Sequence, residues 1–147
     1  MGLMRWLKER LEGNEKAELE VSSEENSLLG LNLKQVIDAH ADWKNRLEST
    51  LHGVSMEQLE VSVVAQDSIC TLGQWLCGVG KQQFGHLPEY EKLCKTHANF
   101  HLCAGQVLVE HHNGKMDQAT ALLKGEFRNL SDLIQLDLVR LFVVAKK

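Results

Sequence analysis

Between Glu89 and His112 the residues Leu93, Cys94, His97, Phe100, His101, Ala104, Val107 and Leu108 recur every three or four positions, the period of one helix face. A second stripe runs from about Met116 to Val144 through Ala119, Leu122, Leu123, Phe127, Leu130, Leu133, Ile134, Leu138, Leu141 and Phe142. Asn113-Gly114 between the two reads as a tight turn. Such apolar faces need other helices to cover them. One is predicted over Asn26 to Leu51, carrying Leu29, Leu33, Val36, Ile37, Ala39, His40, Trp43 and Leu47, with Gly53 as its stop. A shorter one begins at Asp67 or Ser68, carries Ile69, Cys70, Leu72, Trp75 and Leu76, and ends at Gly78 and Gly80. Gly73 inside that segment costs up to about 1 kcal/mol against Ala, which implies another helix approaching closely there. The β-branched patch Val61 to Val64 has the propensity of a strand, but a lone strand has nothing to pair with, so an extended or half-helical connection is expected. The predicted fold is all-α: an antiparallel four-helix bundle over residues 25–147, preceded by an N-terminal extension over residues 1–24.

In the extension, Leu3, Leu7 and Leu11 fall four apart in a short amphipathic piece, and a polar acidic stretch follows from Glu12 to Glu25. It is expected to lie outside the core. Arg5, Lys8 and Arg10 beside Trp6 suit a membrane-surface or partner-docking helix, although a frayed terminus is the simpler reading. No apolar run approaches the roughly 18 residues that span a bilayer. The first residues lack the apolar core and cleavage site of a secretory signal, so a cytoplasmic protein is expected. In that reducing compartment the four cysteines are expected to be buried, reactive or metal-bound rather than paired. A net charge of −4 with both signs interspersed gives no footprint for nucleic acid.

His97 and His101, four residues apart on one helix, project from the same face one turn apart and form half of a metal site, towards which Cys94 also leans. The plain alternative is a pair of surface or hydrogen-bonded core histidines. His40, between Ile37 and Trp43 on its stripe, points inward and needs a partner, either a carbonyl, a carboxylate or a metal. Zinc prefers thiolate and imidazole, and the inward set from three helices is His40, Cys70, His97 and His101. Four protein ligands leave no open position, so the site is expected to be structural or sensory and the protein not an enzyme. A hemerythrin-like di-iron bundle is the nearest competitor, but it needs bridging carboxylates that these faces lack. His111 and His112 close their helix too far along to join the set.

The segments His40-Ala-Asp-Trp43-Lys44, Cys70-Thr-Leu-Gly73-Gln-Trp75 and His97-Ala-Asn-Phe-His101 resemble the three motifs of the bacterial chemoreceptor zinc-binding domains. The separations of 30 residues from His40 to Cys70 and 27 from Cys70 to His97 are similar to the family's usual spacing. The resemblance covers about residues 26–145 and implies a four-helix bundle with His40, Cys70, His97 and His101 as zinc ligands, often as a homodimer. It further implies signalling in a chemoreceptor or diguanylate cyclase pathway, with hypochlorous acid acting on Cys70 as a second input. No diguanylate cyclase domain or chemoreceptor hairpin is joined to it, so a stand-alone member is expected, signalling through a partner or through residues 1–24. Cys77, Cys94 and Cys103 match no ligand of the family and are read as packing residues. Trp43 and Trp75 are expected to wall the site. A zinc-responsive module is the first reading, and an interaction protein with a permanent zinc staple is the second.

Overall fold

The computed structural model describes residues 2–146. Its helices are α1 (Gly2–Leu11), α2 (Leu33–Leu51), α3 (Val61–Val64), α4 (Thr71–Cys77), α5 (Val79–Phe84), α6 (Pro88–His112), α7 (Met116–Lys124) and α8 (Glu126–Ala145). A two-stranded hairpin, β1 (Ser27–Leu28) and β2 (Leu31–Asn32), stands between α1 and α2. The mostly helical class predicted from periodicity holds, and α6 is its axis, packing on α8, α7, α3, α2 and α5. α2 packs in turn on α7 and α8, and α1 on α8.

Three element boundaries differ from those predicted, each for a local reason. The helix expected from Asn26 begins only at Leu33. Ser27 pairs with Asn32 and Leu28 with Leu31 across the two-residue corner Leu29-Gly30, whose φ values of 47° and 84° are both left-handed. Two left-handed central residues suit a tight hairpin, and glycine supplies one of them without strain. Asn32 then caps α2, its side chain accepting the Gln35 N–H at 2.9 Å. The helix expected to run unbroken from Met116 to Val144 is interrupted at Gly125, which caps both α7 and α8 with φ −104° and ψ −93°. Cys70 lies outside α4 as its N-cap, in an extended conformation. Val61 to Val64, discounted as a strand, forms one helical turn. Pro88 opens α6, where its fixed φ and missing N–H carry no cost, with Glu89 and Glu91 in the first turn and His111 and His112 in the last.

The placing of residues 1–24 outside the core is corrected. Leu3 and Trp6 of α1 are 3% and 2% exposed, and they join a cluster with Leu138, Val139 and Phe142 of α8. The Trp6 indole N–H donates to the Ala17 carbonyl at 3.1 Å, so the acidic stretch returns over the helix. Glu25 accepts the Leu3 N–H at 3.3 Å at the start of α1. No helix among the described residues is long and apolar enough to cross a membrane.

The apolar interior falls into two clusters. One gathers Leu33, Val36, Leu72, Leu76, Leu93 and Phe142 with the buried side of α1; the other gathers Leu47, Phe100, Val107, Leu108, Phe127 and Ile134. Between Val36 and Leu47 on α2 comes His40, between Leu93 and Leu108 on α6 come Thr96, His97 and His101, and between Ile134 and Leu138 on α8 comes Asp137. All five are buried polar residues. A polar layer therefore divides the core. On the α8 side it is closed by the Thr96 hydroxyl, which donates to Asp137 at 2.7 Å, with Lys92 and Arg140 at 3.7 and 3.6 Å from the same carboxylate.

Candidate metal centre

On the other side of the layer, His40, Cys70, His97 and His101 each offer one ligand atom, and these atoms all lie within 4.8 Å of one another. The helical repeat of α6 stacks His97 beneath His101, with ring centroids 4.6 Å apart and planes nearly perpendicular. α2 brings His40 across, its ring 5.2 Å from His97 and 5.9 Å from His101. The turn before α4 brings Cys70, whose Sγ lies 3.2 Å from His97 Nε2 and 3.6 Å from His101 Nε2. The three imidazoles are 1–4% exposed, while Cys70 is half-buried.

Two rings are fixed by carbonyls. His40 Nδ1–H donates to the Val36 carbonyl at 2.8 Å, and His101 Nδ1–H donates to the Val64 carbonyl at 3.0 Å. A carbonyl only accepts, so Nδ1 carries the proton in both neutral rings and each presents an Nε2 lone pair to the interior. The Val64 carbonyl is free to accept because α3 ends there after one turn. His101 Nε2 lies 3.1 Å from His97 Nε2, while His40 Nε2 and His97 Nδ1 are buried with no hydrogen-bond partner. Buried polar atoms are seldom left so.

The electrostatics favour neutral imidazoles. Burial pushes His40 down to about 4 and His97 down to about 2, the neighbouring imidazoles adding to the effect, and it lowers His101 against the pull of the Val64 carbonyl. Burial raises the Cys70 thiol, opposed by the N–H groups of Gly73 and Leu72 at the start of α4. The Gly73 N–H reaches Cys70 Sγ at 3.4 Å.

These features fit zinc. Tetrahedral bond lengths of about 2.0 Å to nitrogen and about 2.3 Å to sulfur put ligand atoms roughly 3.3–3.6 Å apart. The contacts of 3.1, 3.2 and 3.6 Å approach that spacing. Facing lone pairs and an otherwise unpartnered Nε2 find a common partner in a cation. The carbonyl bonds at His40 and His101 are the outer contacts that orient metal-binding imidazoles; His97 has none. The cluster includes no carboxylate, which a di-iron centre would require.

The surroundings depart from expectation. Trp43 stands edge-on to His101 at 6.4 Å, but Trp75 serves elsewhere: its ring packs near Phe84 and its N–H donates to the Leu29 carbonyl at 3.1 Å. The second aromatic wall is Phe100, 5.2 Å from His40 and 5.5 Å from His101. Its neighbour position to His101 was the available sign. Gly73 accommodates its own preceding turn rather than another helix, since a Cβ there would lie 1.7 Å from the Asp67 carbonyl oxygen. Cys94 packs in the core beside Tyr90, and Cys103 is buried, but Cys77 is exposed, which packing does not explain.

Fold and site together define a helical protein with one thiol and three imidazoles gathered at metal-ligand spacing in its interior. Residues 40–108, which contain all four, match the family model of the chemoreceptor zinc-binding domain. No curated protein and no solved structure matches the chain.

Proposed function

We propose that the protein is a zinc-responsive regulatory module in which His40, Cys70, His97 and His101 hold one Zn2+ and occupancy sets the packing of the helices. The observation that carries this reading is the convergence of three Nε2 atoms and one Sγ, with two of the rings locked in the metal-binding tautomer by the Val36 and Val64 carbonyls. Bound zinc supplies the positive charge that stabilises the Cys70 thiolate and orients the neutral imidazoles. On this reading α2, α4, α6 and the α7–α8 pair are the rods of a four-helix bundle, three of them tied at one point. Release frees Cys70, and with it the N-terminus of α4. α4 carries Trp75, whose bond to the Leu29 carbonyl ties it to the hairpin leading into α2. A homodimer or a signalling partner in a chemoreceptor or diguanylate cyclase pathway would read that change.

Oxidation is a second input at the same atom: hypochlorous acid converts the Cys70 thiolate to a sulfenic acid and leaves as chloride, removing a ligand. The half-buried position of Cys70 supports this. The burial of the three imidazoles equally suits a permanent staple.

Metal analysis of protein purified without added zinc tests the first step. One equivalent is expected in the wild type and none held tightly in Cys70→Ser or His101→Ala; a full equivalent retained by either variant would refute the ligand set. Comparing oligomeric state and partner capture with and without chelator separates sensing from stapling, because a staple leaves both unchanged.

A further inference from the structure

A groove of about 450 Å3 opens beside the centre, and its lining includes three of the four proposed ligands, His40, Cys70 and His101. Elsewhere the imidazoles are flanked by the two apolar clusters and, towards α8, by the buried Thr96–Asp137 pair, so approach from those sides would have to cross packed interior. Its rim carries the oxygen-bearing side chains of Gln35, Asp42 and Gln66, suitable for receiving a divalent cation as it sheds water. Val63 and Ile69, 49% and 47% exposed, form apolar walls.

One side chain stands over the inner end. The Trp43 ring lies edge-on to His101, and the Arg46 guanidinium covers it at 3.8 Å from the ring centroid. Arg46 is held by Glu57, whose carboxylate accepts from Nε at 3.1 Å and from a second guanidinium nitrogen in a fork-shaped pair. Glu57 belongs to the connection between α2 and α3, so this connection fastens the tryptophan from outside.

We propose that this groove is the route by which metal enters and leaves the cluster, and that Trp43, fastened by the Arg46–Glu57 pair, is its gate. The proposal rests on the zinc reading above and deepens it. A gate lies on the path and not at either end, so loosening it speeds entry and exit by the same factor and leaves the equilibrium where it was. A residue that merely supports the ligands behaves differently: its loss speeds release alone and weakens binding.

The experiment loads wild type, Arg46→Met, Glu57→Gln and Val63→Trp with zinc, follows release into excess chromogenic chelator, and measures uptake by the metal-free proteins in stopped flow. Losing the ion pair and the cation over the ring should accelerate both directions several-fold, up to about tenfold, at constant Kd. Val63→Trp, which adds bulk at an exposed wall without disturbing the interior, should slow both. Wild-type protein that binds one equivalent while all three variants exchange at the wild-type rate would overturn the gate and leave the zinc reading intact. Faster release with unchanged uptake would likewise overturn it. Wild-type protein that binds no zinc would overturn the zinc reading, and the gate with it.

Discussion

At the scale of single residues the centre depends on atoms that hold its ligands as much as on the ligands. Gly73 is the sharpest case. Its N–H donates to Cys70 Sγ, and a Cβ at this position would lie 1.7 Å from the Asp67 carbonyl oxygen. Gly73→Ala must therefore push the turn from Asp67 to Cys70 away from α4 and carry the thiol out of line. Zinc affinity should fall by about tenfold or more, equivalent to about 1.4 kcal/mol, with helical content retained; an unchanged affinity in a chelator competition would count against this role. The donor set was legible because imidazoles four apart on an apolar stripe, and a third on the facing stripe, are chemically conspicuous. The carbonyls of Val36 and Val64 were not legible, since a backbone acceptor has no residue type.

Elements were legible where the periodicity was long and unbroken, as in α6 and in α2 from Leu33 onward. They were misread where one residue overrode the stripe. Leu29 reads as the first residue of a helical stripe, but Gly30 at φ 84° turns the chain into a hairpin; Gly125 likewise splits a stripe that reads as continuous. α1 was misjudged for a different reason: its basic side chains describe its outer face, whereas Leu3 and Trp6 supply the inner one. Trp6→Ala should cost about 3 kcal/mol or more, seen as a lowered urea midpoint, because it removes a large side chain that is 2% exposed. Zinc content should stay at one per chain, since α1 packs on α8 and not on the four proposed ligands. Near-wild-type stability would mean that α1 docks too weakly to belong to the core.

For the whole molecule, the buried histidines set how metal-free protein responds to acid. Burial holds His40 at about 4 and His97 at about 2, whereas an unfolded histidine titrates near 6.5. Below 6.5 the unfolded chain therefore binds more protons than the folded one, and stability falls as pH drops from 6.5 towards 4. By about pH 5, His40 alone should contribute a loss of roughly 2 kcal/mol. Urea titrations of chelator-treated protein from neutral pH down to about pH 5 check this, and a flat profile would contradict it.

The division of the interior has a further consequence for how such a chain is able to vary over generations. Two oily compartments on either side of a polar stratum have few shared walls, so each can exchange leucines, valines and phenylalanines of matched volume without consulting the other. Only the stratum is held to a shape. One layer of converging donor atoms can in this way be kept nearly unaltered while the apolar packing on either side of it diverges.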